Sequence, residues 1–227
     1  MASLQHTCYL CGKTIEGTPS SDHVPPRQFF ARAIRSAFNL DKLATLPSHP
    51  ACNAAFGLDE EYFVQTLAPI ADSPTARPIV QEFAAHLRAG RRVALGYRVL
   101  KQFLKDLSGL VLPHGLVAMR VEGSRLKRVI WKIVRGLYRI ETSQVLPEDT
   151  PFMVEIVEPE NRDPSKHEKF WEAVKAQPSK GVYGAIFDYK HLHLVSGKAE
   201  VHVWGLLLWD RIMVFVSHQA PGSEAAT

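Results

Sequence analysis

The stretch SHPACN, residues 48–53, decides the fold of the first part of the chain, because it matches the spacing of CYLC, residues 8–11. Two residues separate His49 from Cys52, and two separate Cys8 from Cys11. Three thiols and one imidazole in two such pairs are typical of a tetrahedral structural zinc site. A redox C-x-x-C motif is the alternative, but it usually lies at a strand-to-helix turn, whereas YLCGKT is typical of a loop turn. The spacing therefore favours zinc.

The composition is that of a soluble globular protein. The chain has 227 residues, of which 46% are hydrophobic and 22% charged, and it has no apolar run long enough to span a membrane. The first residues, MASLQHTCYLCG, lack the pattern of a secretory signal. An odd number of cysteines, all in the first quarter, argues against a disulfide framework. We therefore expect a cytoplasmic location.

Positive charge is clustered more than the formal net charge of +4 suggests. Residues 86–105 contain six Lys or Arg and no acid, and residues 120–139 contain seven against only Glu122. Such clusters are typical of surfaces that bind phosphate groups. A solvated helix face remains the alternative.

The pattern of elements predicts an α+β fold with two modules. The first spans residues 1–70 and ends at the loop ADSPTARP. The second, residues 71–219, has basic helices followed by strands rich in β-branched and aromatic residues, which predicts a mostly antiparallel sheet. Trp209, Asp210 and Arg211 are expected to form a hairpin turn between the last two strands, and residues 220–227 to be a disordered tail.

A second short stretch, SDHVPPRQFF, residues 21–30, carries candidate chemistry. Asp22 and His23 can each bind a metal or transfer a proton. Pro25 and Pro26 fix the backbone directly after them. The sequence therefore predicts an Asp-His pair in a rigid setting.

The order C-x2-C, Asp-His-x-x-Pro, H-x2-C-Asn resembles the HNH (His-Asn-His) endonuclease family, in the bacterial, zinc-stapled branch of the ββα-metal nucleases. DEEYF at residues 59–63 and RGLY at residues 135–138 extend the likeness. The catalytic resemblance covers roughly residues 8–63. It implies an N-terminal, treble-clef-like ββα-metal module stabilised by the zinc.

The resemblance also implies an activity, the metal-dependent hydrolysis of phosphodiester bonds in nucleic acid, with DNA favoured. By position, His23 is the general base, and Asp22 and Asn53 are ligands of a catalytic Mg²⁺ or Mn²⁺ ion. The chain departs from the family where Lys42 stands in place of an asparagine, although Asn39 could substitute. A catalytically degenerate module that binds nucleic acid or protein is the alternative function.

Contacts with nucleic acid are expected from the basic residues. The candidates are Arg27, Lys127, Arg128, Lys132 and Arg135. Arg27 could equally form an exposed salt bridge. From the family's habits, the C-terminal sheet is expected to bind a regulatory or targeting protein, as in phage-defence or toxin systems. In HLH, residues 191–193, the two imidazoles should share one strand face, and this pattern favours an ordinary polar face over a second metal site.

Overall fold

The computed structural model describes residues 6–38, 43–104, 106–107, 110–111, 118–157 and 168–223, and every structural statement below concerns those residues. They form a mixed α+β structure whose strands pair antiparallel, which confirms the predicted fold class. None of the helices in these ranges is long and apolar enough to cross a membrane.

The N-terminal part contains two strands followed by a helix. Strand β1, Ser20–His23, pairs with β2, Thr45–Ser48. The segment between them carries a short 3-10 turn and α1, Arg32–Phe38. Helix α2, Pro50–Ala54, starts directly after His49, because a proline at the first helical position has the required φ and no N–H to satisfy.

Three helices continue the chain: α3, Gly57–Ala71, α4, Arg77–Arg88, and α5, Val93–Leu100. Helix α3 is mostly buried and carries the DEEYF sequence on its first turns. The basic stretch 86–105 is therefore divided between the end of α4, α5 and a short strand, and does not form one helix.

Two small strand pairs lead to the longest helix. Strand β3, Phe103–Leu104, pairs with β6, Ala118–Met119. Between them, β4, Asp106–Leu107, pairs with β5, Leu110–Val111. Helix α6, Gly123–Thr142, comes next.

Helix α6 is the centre of the structure. All nine residues from 131 to 139 are buried, although Lys132, Arg135 and Arg139 are among them. A helix with a single apolar stripe buries only one face. Here residues 131–139 lie between the N-terminal part and the C-terminal sheet, so this stretch is covered on all sides, whereas the first turns of α6 keep an exposed face at residues 127–128.

The C-terminal part is a four-stranded sheet with one helix. In chain order its elements are β7, Phe152–Val157; α7, Glu168–Lys175; β8, Phe187–Ser196; β9, Ala199–Leu208; and β10, Ile212–Gln219. The strands lie in the order β7-β10-β9-β8, all antiparallel. Trp209 and Asp210 have φ of 49° and 60°, which forms the predicted turn between β9 and β10.

The two predicted modules share one hydrophobic core. It includes residues from Cys8 to Val216 without a division near residue 70. The ring centroids of Phe29 and Trp209 are 5.3 Å apart, and Trp209 Nε1 donates to the Phe29 carbonyl at 3.0 Å. Residues on both sides of the loop after α3 therefore pack into the same core.

The predicted tail begins with a paired residue. Ala220 is buried, and its backbone N–H donates to the Glu200 carbonyl at 2.8 Å. Ser223 also bonds to Ala220. Residues 224–227 lie outside the described ranges.

Candidate metal centre and the neighbouring surface

The four predicted zinc ligands come together. One donor atom from each of Cys8, Cys11, His49 and Cys52 lies within 4.8 Å of the others. Nδ1 of His49 is 3.3 Å from Cys11 Sγ and 3.8 Å from Cys52 Sγ. The first pair lies in a tight turn, closed by a bond from Gly12 N–H to the Cys8 carbonyl, and the second at the start of α2.

The orientation of His49 suits a metal ligand. Its Nε2 is 3.1 Å from the carbonyl oxygen of Thr14. Because a carbonyl can only accept, Nε2 carries the proton and Nδ1 presents its lone pair to the three sulfurs. Metal-bound histidines usually have their other nitrogen fixed in this way.

The thiols differ in acidity. Burial acts to raise the pKa of Cys8, but the backbone N–H groups of His49, Cys11 and Leu10 facing its sulfur lower it to about 7. Burial and the neighbouring Cys8 raise the pKa of Cys52 to about 12. The backbone N–H groups favour the Cys8 thiolate, and its negative charge then opposes ionisation of Cys52. A divalent cation removes that repulsion, so the cluster could hold a metal ion such as zinc.

Asp22, predicted as a catalytic metal ligand, lies in the core. It is 4% exposed, its Oδ1 is 2.8 Å from Lys132 Nζ, and its Oδ2 accepts a hydrogen bond from Tyr9 at 2.7 Å. Lys132 also pairs with the buried Glu60. One ammonium ion thus compensates two carboxylates that have little access to water.

His23 is the next residue of the same strand, so its side chain leaves the opposite face from Asp22. It is half-buried. Burial, followed by the positive charge of Arg27, lowers its pKa, and the imidazole is neutral at neutral pH.

Asn53, on α2, contacts the start of β1, whereas Asp22 and His23 lie at its end. Its Nδ2 donates to Ser20 Oγ at 2.9 Å. Among the described hydrogen bonds, none joins two of Asp22, His23 and Asn53.

These residues do not fit the implied catalytic Mg²⁺ or Mn²⁺ in this arrangement. The Lys132 ammonium already occupies the cation position beside Asp22, and a second cation there would be repelled. Lys42 and Asn39, the two residues weighed for the family's second asparagine, lie outside the described ranges.

Of the predicted nucleic-acid contacts on α6, those at Lys132 and Arg135 are wrong because both side chains are buried, and those at the exposed Lys127 and Arg128 stay predictions. Lys132 and Arg135 are 1% and 2% exposed. The Arg135 guanidinium donates to the backbone carbonyls of Leu146 and Leu10. Arg128 pairs with Asp59 on α3, and Lys127 is exposed. The positive residues of α6 mainly join this helix to its neighbours.

A different basic surface surrounds Arg27, which the sequence did single out. A groove of about 220 Å³ is lined by the polar residues Arg27, Gln28, Arg32, Arg35, Gln65, Glu82, His86 and Arg92. Glu82 is the one carboxylate among these lining residues, and it contacts Arg32 through the backbone N–H at 3.0 Å and Nε at 3.5 Å.

This arginine groove lies near His23. The charges of Arg27 and Arg35 both act to lower the pKa of His23. Burial, followed by Arg27, also lowers the pKa of Arg35, so these cations are close enough to repel one another. Such repulsion is relieved by an anion. The signal in the sequence was the run of arginines at 27, 32 and 35 directly after the prolines.

Comparisons with protein-family models, with curated proteins and with solved structures gave no match to this chain.

Proposed function

We propose that Cys8, Cys11, His49 and Cys52 hold a structural zinc ion, and that the protein binds the sugar-phosphate backbone of nucleic acid in the arginine groove. The observation that carries this proposal is the convergence of four arginines around one groove whose lining includes a single carboxylate, with Arg92 also paired to Glu61 outside the lining. The resemblance to the HNH family supports nucleic acid, and first DNA, as the source of the phosphates.

The charges and the exposure of the groove suit the phosphates of a nucleic-acid backbone. Arg27 and Arg32 are exposed and Arg35 is partly exposed, so their guanidinium groups are accessible to a chain of phosphates. Guanidinium forks bind phosphate oxygens in pairs. Contacts of this type recognise the backbone and carry little sequence information.

The zinc positions this surface. It ties residues 8–11 to the start of α2, and β1, which leads into the arginine-bearing segment, pairs with the strand just before α2. Metal binding and folding are coupled in such sites. Loss of the ion should therefore disturb the pairing of β1 with β2, and with it the position of His23 at the end of β1.

Binding is tested by fluorescence anisotropy with labelled single- and double-stranded DNA and RNA. If Arg27, Arg32 and Arg35 each contact one phosphate, the logarithm of the association constant should fall with log[salt] at a slope of about −3 for duplex DNA. Arg27→Gln and Arg35→Gln should each weaken binding and reduce the slope by about 1. Arg77→Gln, which removes the same charge from an exposed site outside the groove, is the matched control. Equal losses for all three variants, or no binding by the wild type, would contradict the proposal.

Hydrolysis of the bound phosphodiester is the second candidate function. The neutral, half-buried imidazole of His23 near the groove favours it, since a neutral histidine can accept a proton from water. A plasmid-nicking assay with Mg²⁺ or Mn²⁺ compares the wild type with His23→Ala. Cleavage that disappears in His23→Ala while DNA binding persists would support an endonuclease. Silence of both proteins, with binding intact, would leave the non-catalytic function. A protein partner of the C-terminal sheet stays a prediction.

A further inference from the structure

The hairpin formed by β8 and β9 brings three possible metal ligands to one face. His193 lies directly opposite His202 in the register. Glu200 precedes His202 by two residues, so its side chain leaves the same face of β9. Side chains of cross-strand and i,i+2 neighbours on one face of a sheet are close enough to bind the same metal ion.

The donor atoms have the separations of a small chelating site. Glu200 Oε1 is 2.7 Å from His193 Nε2 and 3.8 Å from His202 Nε2, and one donor atom from each residue lies within 4.8 Å of the others. Bonds of about 2.0–2.1 Å to a tetrahedral zinc place donors about 3.3 Å apart. The two observed separations bracket that value.

His202 supplies an independent reason to expect a ligand. The residue is 2% exposed, and its Nε2 has no hydrogen-bond partner among the described residues. Leaving a buried polar atom without a partner costs about 1–3 kcal/mol. The atom is directed towards Glu200, which lies beyond hydrogen-bonding distance.

The other nitrogen of His202 fits a metal-bound tautomer. Nδ1 of His202 is 2.9 Å from Nε2 of His191, and Nδ1 of His191 is 4.0 Å from a carboxylate oxygen of Glu141. If His202 Nδ1 donates to His191, the proton of His191 lies on the side of Glu141. His202 Nε2 then presents a lone pair to a carboxylate, an arrangement that a cation between the two stabilises. Outer partners of metal-bound histidines act in this way.

We propose that His193, Glu200 and His202 bind a divalent transition-metal ion of the zinc class. Two imidazoles and a carboxylate suit Zn²⁺ better than Mg²⁺ or Ca²⁺, which prefer sets made only of oxygen. The side chains of His193 and Glu200 are 43% and 41% exposed. The ion is therefore reached from solvent, and a fourth position is open to water or a small ligand. This site is separate from the cysteine cluster and does not depend on the proposed function.

The test is the zinc stoichiometry of the full chain with its cysteine site already loaded. Titration with Zn²⁺ alone should show a further equivalent per chain in the wild type. His193→Gln and Glu200→Gln each remove one exposed ligand and should weaken this equivalent at least tenfold. Leu194→Gln lies on the same strand but on the other face, at a side chain that is 48% exposed, and should bind like the wild type.

A second measurement separates the two sites even if a variant folds poorly. Co²⁺ added to the wild type with zinc in the cysteine site should give d–d absorption without thiolate-to-cobalt charge transfer, because the donors are nitrogen and oxygen. A wild type that takes up no further zinc overturns the proposal. So does a further equivalent retained unchanged by both His193→Gln and Glu200→Gln, since the metal would then bind elsewhere.

Discussion

Val24 packs so closely against Gly136 that no side chain fits at position 136. A Cβ placed on Gly136 would lie 2.6 Å from Cγ2 and 2.9 Å from Cγ1 of Val24. Val24 belongs to the stretch DHVPP and Gly136 to RGLY. The two stretches, more than 100 residues apart in the sequence, therefore form one contact in the structure.

Gly136→Ala should destabilise the protein because it inserts a methyl group into this contact. Overpacking costs about 1–3 kcal/mol, which exceeds the gain of about 1 kcal/mol from helix propensity. Denaturant unfolding measures the loss. In a Val24→Ala background the same substitution should cost less, giving a coupling energy between the two sites. Gly123→Ala, on the same helix with no neighbour within 4 Å, should cause no loss. Equal effects at both glycines would rule out the steric explanation.

Lys132→Met should be among the most damaging single substitutions on α6. It preserves the length of the side chain but leaves Asp22 and Glu60 without their shared cation. Breaking a buried ion pair on one side costs about 3–5 kcal/mol. Lys127→Met, on the exposed face of the helix, should change the unfolding free energy by less than about 0.5 kcal/mol.

Removing the two carboxylate charges should restore part of the stability that Lys132→Met loses. Adding Asp22→Asn and Glu60→Gln to Lys132→Met removes the uncompensated charges, and part of the lost stability should return. A triple variant no more stable than Lys132→Met would show that Lys132 acts by something other than charge compensation.

Removal of zinc should unfold the N-terminal part first. Cys52→Ser takes away one of four ligands, so the cysteine site should lose its ion to a chelator far more readily than the wild type. Hydrogen exchange should then rise in residues 8–11 and in β1 and β2. Without chelator, the histidine site on the β8–β9 hairpin should still take up added zinc in this variant, because its ligands lie elsewhere. A Cys52→Ser variant that binds as much zinc as the wild type and resists the chelator equally well would contradict the zinc assignment.

The stability should depend on pH through His23. Its folded pKa is lowered by burial and by Arg27, whereas the unfolded pKa is about 6.5. As pH falls below about 6.5, the unfolded chain takes up the proton first, and the folded protein loses stability until the folded pKa is passed. His23→Gln should make the unfolding free energy less sensitive to pH between about 7.5 and about 5.5. Identical pH profiles would exclude this contribution.

The cluster of three cysteines and His49, and the order of the elements, could be predicted from the sequence because both depend on local spacing. Cys8 and Cys11 lie in one turn, and His49 and Cys52 flank one helix start, so each pair is preorganised by a few residues. The C-terminal strands were equally visible from their β-branched residues. Strand alternation also placed His191 and His193 on one face, where both stack against His202.

The partners of the charged residues could not be predicted in the same way. Lys132 meets Asp22 across 110 positions of sequence, and nothing near either residue indicates the other. Apolar residues at helical spacing in α6 indicate by themselves one buried face. Burial of residues 131–139 on all sides depends on the N-terminal part and the C-terminal sheet, which both pack against this stretch. For the same reason, Lys132 and Arg135 were interpreted as surface residues. The sequence indicates Arg27 but not the whole groove, because Arg92 joins it from the residue before α5.

The buried helix α6 sets a limit on how this protein could be cut or transplanted. Lys132 and Gly136 of this helix contact Asp22 and Val24, on either side of His23. On the other side, Trp131 stacks on Phe152 and Tyr138 contacts the ring of His202 edge-on, both in the C-terminal sheet. A gene fusion that carries only residues 1–70 would leave two acids unneutralised and an apolar surface open to water. We therefore expect that the cysteine-rich segment does not fold when it is separated from α6.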